Sequence, residues 1–156
     1  MIRGESEYPR EVIFSTSGHK IISGWNDSKI RIYDVTTGEM SQNPLTGHTD
    51  WIWCLACSSN DERIISGSLD GTIRIWNAET GEIVRELSRG YELIYCIAFS
   101  PDEKHIVSGS NEGTVSIWSV DTGDVYHYKE FNAWISSVAF TPNGGQVISV
   151  SREGIH

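Results

Sequence analysis

Short runs of Ile, Val, Trp, Tyr and Ser alternate along the chain with clusters of Gly, Asn, Asp and Pro. In some runs apolar and polar residues alternate, as in TIRIW at 72–76, which is the pattern of a strand with one buried face. Other runs are continuously small and apolar, as in CIAFS at 96–100, which indicates burial on both faces. No segment has a helical period. The pattern therefore predicts an all-β chain.

One sequence unit recurs along the chain. Its copies read SGWNDSKIRIY at 23–33, SGSLDGTIRIW at 66–76 and SGSNEGTVSIW at 108–118, and a shorter copy, SVSREGIH, occupies 149–156. Their spacing of 41 to 43 residues is typical of a propeller blade, whose period is about 40–45 residues. Because one such unit cannot bury its own apolar faces, neighbouring units must stack on it.

These features identify the chain as a member of the WD40 repeat family. The resemblance implies a partial β-propeller of about three and a half four-stranded antiparallel blades, forming a single array over residues 1–156. The repeats are predicted at about 4–46, 47–89, 90–129 and 130–156, the last one truncated. The sequence pattern of the repeats is similar to that of the WD40 arrays of fungal NACHT-type sensor proteins. The short fourth copy favours a fragment of a longer propeller protein.

The resemblance also implies a buried, hydrogen-bonded tetrad in the second repeat, formed by His48, Ser66, Asp70 and Trp76. The other repeats depart from this pattern: the first places Glu5 and Tyr33 at the His and Trp positions, and the third replaces the His with Tyr91 and the Asp with Glu112. Only the second repeat is therefore expected to hold the full tetrad.

A Ser, a His and an Asp in one unit also invite a catalytic interpretation. A catalytic triad needs an exposed nucleophile on a strained turn, with an oxyanion hole beside it. Ser66 instead lies within a strand motif that recurs with Ser23, Ser108 and Ser149. A feature repeated in every unit indicates architecture, so we predict that the chain is not an enzyme.

Charge and cysteine content narrow the remaining functions. The chain holds 12 Lys and Arg residues against 21 Asp and Glu residues, a net charge of −9. Such a surface disfavours nucleic acid and favours basic partner segments. No apolar run approaches the ~18 residues of a membrane helix, which predicts no membrane partner. Three cysteines fit a reducing compartment and favour the cytoplasm, with the nucleus as the alternative.

Cys54 and Cys57 form a CxxC pair that could suggest zinc. On a strand, however, residues three apart point to opposite faces, and no second CxxC or His pair accompanies them. Cys57 also aligns with Phe14, Phe99 and Phe140, which marks a core position. We therefore predict no metal and no cofactor.

Aromatic residues gather where the first strand of each repeat begins. In the WD40 family, partners bind a narrow top rim formed by this region and by the residues before the turn acid. The resemblance therefore implies these partner-binding residues: Tyr8, Arg10, Asn26, Trp51, Trp53, Leu69, Leu93, Tyr95, Asn111, Trp134 and Arg152. Tyr, Trp and Arg are also the residues enriched in protein-binding hot spots.

The sequence thus favours a non-enzymatic interaction scaffold that binds a protein or peptide partner through an aromatic top rim. The alternative is a propeller that binds a small ligand or a glycan on its rim tryptophans, since aromatic rings stack on sugars. Open end faces would expose apolar surface, so we expect either a homodimer that closes the ring or a marginally stable chain.

Overall fold

The computed structural model describes residues 7–156, apart from the side chain of His127. In this part of the chain, fourteen strands form four antiparallel sheets and there is no helix, which confirms the all-β, partial-propeller prediction. Accordingly, none of the described residues belongs to a helix that could span a membrane.

The strands follow chain order within each sheet. Sheet 1 contains β1 (Pro9–Phe14), β2 (Lys20–Trp25) and β3 (Ile30–Asp34). Sheet 2 contains β4 (Ile52–Cys57), β5 (Arg63–Ser68), β6 (Thr72–Asn77) and β7 (Ile83–Ser88). Sheet 3 contains β8 (Ile94–Phe99), β9 (His105–Ser110), β10 (Thr114–Ser119) and β11 (Val125–Glu130). Sheet 4 contains β12 (Ile135–Phe140), β13 (Val147–Ser151) and β14 (Gly154–Ile155).

Sheet 1 has three regular strands where the sequence predicts four. The segment at the fourth position touches β3 only through isolated bridges, between Leu45 and Ile30 and between Met40 and Tyr33. Pro44 lies between those two bridges and has no backbone N–H to donate to a ladder. A continuous fourth strand therefore does not form. Sheet 4 also has three strands, the last of them short.

The four sheets stack in chain order through their first strands, β1 on β4, β4 on β8 and β8 on β12. Each junction has its own apolar core. Trp76 packs between sheets 1 and 2 among Ile22, Ile32 and Ile64, whereas Trp118 packs between sheets 2 and 3. Among the described residues, no comparable packing joins sheet 4 back to sheet 1, so both end faces are open.

The open faces are apolar. On β1, Val12 and Phe14 are 55% and 64% exposed, and on β13 Ile148 is 43% exposed. The residues at the same positions inside the array, Leu55 and Ile65, are buried. Exposed side chains of this kind mark surfaces that favour a partner.

Candidate partner-binding site

A β-bulge lies near the start of the first strand of every sheet. The pairing of β4 with β5 joins Ile52 to Ser68 and then Cys54 to Gly67, so that it skips Trp53. The same shift in the other sheets skips Arg10, Tyr95 and Ser136. Bulges re-aim side chains away from the regular ladder. The bulges therefore place these four residues along the same edge of the stacked sheets, the edge at which the first strands begin.

The rings along this edge form a continuous row, which we call the aromatic band. It consists of Tyr8, Trp51, Trp53, Tyr95 and Trp134, together with Arg10. Ring centroids lie 6.1 Å apart for Tyr8 and Trp51. They lie 4.9 Å apart for Trp53 and Tyr95, and 5.5 Å apart for Tyr95 and Trp134. All three pairs are edge-to-face, the arrangement that the ring quadrupole favours. The band crosses from sheet 1 to sheet 4.

Arg10 joins the two halves of the band. Its guanidinium carbon lies 3.9 Å from the centroid of the Trp53 ring and 5.1 Å from that of Trp51. A guanidinium over an indole face is attracted by the negative face of the ring. The prediction placed Trp51 and Trp53 together at the rim, and the structure adds that a cation lies between them.

The predicted residues before the turn acid mostly brace this surface. The side-chain oxygens of Asn26 and Asn111 accept hydrogen bonds from the backbone N–H groups of Tyr8, at 2.9 Å, and Leu93, at 2.8 Å. Leu69 contributes through its backbone, whose N–H donates to the carbonyl of Trp51 at 3.0 Å. These bonds fix the start of the first strands of sheets 1, 2 and 3. Arg152 is exposed in the turn between β13 and β14.

Acidic side chains gather at sheet 3. Glu92, Glu112 and Glu130 line one shallow depression together with Asn132 and Phe131. None of these three carboxylates forms an ion pair with another described residue. Three carboxylates without an ion-pair partner favour a binding partner with positive charge.

Glu11 lies behind the band, at the junction of sheets 1 and 2. Its carboxylate accepts a 2.5 Å hydrogen bond from the backbone N–H of Leu55. Burial raises the pKa of Glu11, and the hydrogen bond from Leu55 offsets only part of that effect.

In sheet 2, the four residues of the predicted tetrad are joined by hydrogen bonds. His48 Nδ1 lies 2.8 Å from Asp70 Oδ2, and His48 Nε2 lies 2.7 Å from the hydroxyl of Ser66, which also accepts from Trp76 Nε1 at 2.8 Å. Because a carboxylate only accepts, His48 Nδ1 carries a proton and donates to Asp70. Each of the four side chains is thus held by at least one hydrogen bond within the tetrad.

Asp70 receives further hydrogen bonds from the N–H of Thr49 and from Thr72. Burial alone would raise the pKa of Asp70, but the hydrogen bonds from His48, Thr72 and Thr49 outweigh it and hold the pKa well below its usual range. The carboxylate is thus ionised and fully engaged in the fold.

Sheets 1 and 3 satisfy the same Ser in different ways. In sheet 3, Trp118 Nε1 donates to Ser108 at 2.8 Å without a His. In sheet 1, Trp25 supplies the indole and donates to Ser23 at 2.7 Å. Sequence reasoning missed Trp25, although its place two residues after Ser23 was a visible signal. Glu5 lies outside the described residues.

Neither Ser66 nor the three cysteines are poised to react with a substrate. Ser66 is fully buried and its hydroxyl is engaged on both sides. The three cysteines are free thiols, and burial raises the pKa of Cys57 to about 11 and that of Cys96 to about 12, which suppresses the reactive thiolate. Among the described residues, no three His, Cys, Asp or Glu side chains are grouped as metal ligands would be.

The chain has four antiparallel sheets that stack through their first strands, and indole N–H groups donate hydrogen bonds to a repeated Ser. These features define a WD40-type β-propeller, a class of interaction scaffold that is generally non-enzymatic. The chain belongs to the family described as IFT122 first beta-propeller, which matches residues 10–155.

Among solved structures, the chain is similar to the computationally designed Ika4 protein, at 25% identity and a TM-score of 0.85, over 100% of this chain and 93% of that one. No curated protein matches the chain. The similarity to fungal NACHT-type arrays stays a prediction.

Proposed function

We propose that this chain is a non-enzymatic scaffold that binds a protein or peptide segment along the aromatic band. The observation that supports this most directly is the continuity of the band across all four sheets. Tyr8 and Trp134, at its two ends, are 40% and 48% exposed. Large rings that are partly exposed and held in place by neighbours are typical of binding hot spots.

The surroundings of the band favour a rigid, preformed surface. Edge-to-face contacts fix the rings, and the backbone N–H groups of Tyr8 and Leu93 donate to the side-chain oxygens of Asn26 and Asn111. Little side-chain entropy is then lost when a partner binds. The unpaired carboxylates of Glu92, Glu112 and Glu130 favour a partner rich in Lys or Arg.

The free thiols of Cys54, Cys57 and Cys96 suit a reducing compartment. We therefore place this function in the cytoplasm or the nucleus. Glycan binding on the rim tryptophans is the second candidate, favoured by the exposure of the Trp134 indole.

The test starts from two probes, a library of Lys- and Arg-rich peptides and a glycan array. We expect a peptide to bind, and Trp134→Ala to weaken it by about 30-fold or more, which corresponds to a hot-spot loss of ~2 kcal/mol. Tyr91→Ala is the matched control, because Tyr91 is a fully exposed ring outside the band. Binding that survives Trp134→Ala and Trp53→Ala would contradict the proposal. Glycan capture without peptide capture would favour the second candidate.

A further inference from the structure

Arg10 is the one charged residue among the four that the bulges place along the edge of the stacked sheets. The bulges of the other sheets put Trp53, Tyr95 and Ser136 at the same position. Arg10 is exposed, and a guanidinium keeps its positive charge in proteins. The aromatic band therefore carries a positive charge at the point where sheet 1 meets sheet 2.

Three rings of the band surround the Arg10 guanidinium without giving it an oxygen acceptor. Its central carbon lies 3.9 Å from the centroid of the Trp53 ring, 5.1 Å from that of Trp51 and 5.9 Å from that of Tyr8. Among the described residues, no carboxylate forms an ion pair with Arg10 and no oxygen accepts a hydrogen bond from its side chain. Its five N–H donors are therefore open to a ligand.

Arg31 of sheet 1 shows how this chain completes a similar arrangement. Its guanidinium carbon lies 4.4 Å from the centroid of the Trp25 ring. Both of its terminal nitrogens donate to the carboxylate of Asp27, at 3.0 Å and 2.8 Å. Such paired, charge-assisted bonds are strong and directional, because the planar fork of the guanidinium matches the two oxygens of a carboxylate. Arg10 has the ring contact and lacks the carboxylate.

A partner that binds along the aromatic band must cover Arg10, because the guanidinium lies in the row between Trp51 and Trp53. Covering it removes its N–H donors from water. A charge that is taken out of water without a counter-charge is strongly unfavourable, so the partner has to bring an anionic oxygen to this point. The ring contacts hold the guanidinium in place beforehand, which reduces the side-chain entropy that is lost on binding.

We propose that Arg10 binds the carboxylate of an Asp or Glu side chain in the partner segment, with both terminal nitrogens donating to it as those of Arg31 donate to Asp27. This inference rests on the proposed function, because the partner must cover the aromatic band. Arg10 then determines specificity, since an apolar or basic residue opposite the guanidinium would leave it buried and unpaired.

This assignment also determines which part of the partner lies on which sheet. Glu92 precedes the start of β8 in sheet 3 by two residues, and together with Glu112 and Glu130 it favours Lys or Arg in the partner. Arg10 belongs to β1 in sheet 1. The partner segment should therefore place its acidic residue at sheets 1 and 2 and its basic residues at sheet 3. A segment that is basic throughout satisfies only the second requirement.

The probe is a random peptide library displayed on phage and selected on the whole chain. In a selected peptide, each Asp or Glu is replaced by Asn or Gln, one at a time, and titration calorimetry measures the binding. We expect one of these replacements to weaken binding to wild type by about tenfold or more. The same replacement should change binding to Arg10→Gln by less than about twofold, because the carboxylate then has no guanidinium to lose.

Arg10→Lys keeps the positive charge but not the planar fork, so it should bind the selected peptide about three- to tenfold more weakly than wild type. Arg10→Glu should prefer the peptide in which Lys replaces the acidic residue, since the pair is then restored with its charges exchanged. Arg89→Gln is the matched control, because Arg89 also lies over a ring, that of Tyr128 at 4.0 Å, outside the band. It should leave the effect of the acidic residue unchanged. Thermal unfolding shows whether each variant is folded.

Selected peptides without an acidic residue would overturn this inference and leave the proposed function standing, as would a peptide that binds Arg10→Gln as tightly as it binds wild type. Weaker binding to Arg10→Gln without coupling to any acidic residue of the peptide would also overturn it, since Arg10 would then only hold the rings in place. A library from which no peptide is captured would overturn the proposed function, and this inference with it.

Discussion

Ile135 of sheet 4 packs directly over Gly109 of sheet 3, so closely that a Cβ on Gly109 would lie 2.5 Å from Ile135 Cγ2. Ile94 has the same relationship with Gly67 at the junction of sheets 2 and 3. Glycine weakens a strand interior, and it is retained where another part of the chain must approach closely. The sheets of this array therefore dock by an Ile that enters the space above a Gly.

Gly109→Ala should destabilise the fold. The added methyl group overlaps Ile135, and overpacking of this kind costs about 1–3 kcal/mol. Urea unfolding measures the difference. Gly145→Ala is the control, because a Cβ there meets only the Asn143 side chain, no closer than 3.4 Å, and the free energy of unfolding should change by less than about 0.5 kcal/mol. Equal stabilities of the two variants would contradict the docking role of Gly109.

Ser66→Ala should cost more stability than Ser108→Ala. The Ser66 hydroxyl serves both His48 and Trp76, whereas the Ser108 hydroxyl serves Trp118. Each buried group left without a partner costs about 1–3 kcal/mol, so we expect about 2–4 kcal/mol for Ser66→Ala and about half of that for Ser108→Ala. Chemical unfolding of both variants measures this. Equal losses would show that the His48 bond adds nothing.

The sequence predicts most of the strands, their order and the indole-to-Ser pairing of sheets 2 and 3, because the repeat places the same residue types at the same turns. It does not predict the bulges that present Trp53 and Tyr95, since a bulge depends on how two strands pair and not on one strand alone. The contact of Arg10 with Trp53 also follows from the stacking of two sheets. Local patterns thus determine the strands, and packing determines the surfaces.

Asp70 should make the protein sensitive to acid. Its pKa is depressed in the folded state, so its contribution is present above the unfolded value near 3.8 and is lost as the pH falls towards the folded value. The free energy of unfolding should therefore decrease below about pH 4, by up to ~1.4 kcal/mol per pH unit from this group. Asp70→Asn should be less stable at pH 7 and lose less on acidification. Parallel pH profiles for the two proteins would exclude this role.

Glu11 should have the opposite effect on the pH dependence of the free energy of unfolding. Its pKa is raised by burial, so its contribution is largest below the unfolded value near 4.5 and is lost as the pH rises through the folded value. Glu11→Gln keeps a side-chain oxygen for the N–H of Leu55 and removes the charge. The variant should gain stability relative to wild type between pH 4 and pH 7, as measured by thermal unfolding. A constant difference across that range would show that Glu11 does not titrate there.

Arg10 and Trp53 should be energetically coupled. The guanidinium lies 3.9 Å from the ring centroid at a partly exposed site, where a cation–π contact is worth about 0.5–1 kcal/mol. A double-mutant cycle with Arg10→Ala and Trp53→Leu, followed by urea unfolding, isolates this term. Additive losses would mean that the contact contributes no stability and that Arg10 is held by other groups.

We expect the apolar end faces of sheets 1 and 4 to make the protein self-associate. At the position where Gly109 receives Ile135, sheet 4 has Val150, and at the position of Ile135 sheet 1 has the smaller Pro9. A larger residue on one face therefore meets a smaller one on the other. Together with the exposed Val12, Phe14 and Ile148, this favours docking of sheet 4 on sheet 1 of a second copy, which closes a ring of two chains. Light scattering should give a mass near twice 17.4 kDa.

Phe14→Glu should convert this dimer into a monomer, because it places a charge in the apolar contact between the two copies. Val84→Glu is the control, since Val84 is a comparably exposed residue on β7, which is remote from both end faces. If wild type is a monomer across the concentration range, or if both variants change the mass alike, the end faces do not mediate association. Because ring closure would also fix the spacing of the four sheets, the dimer should bind partners of the aromatic band more tightly than the Phe14→Glu monomer.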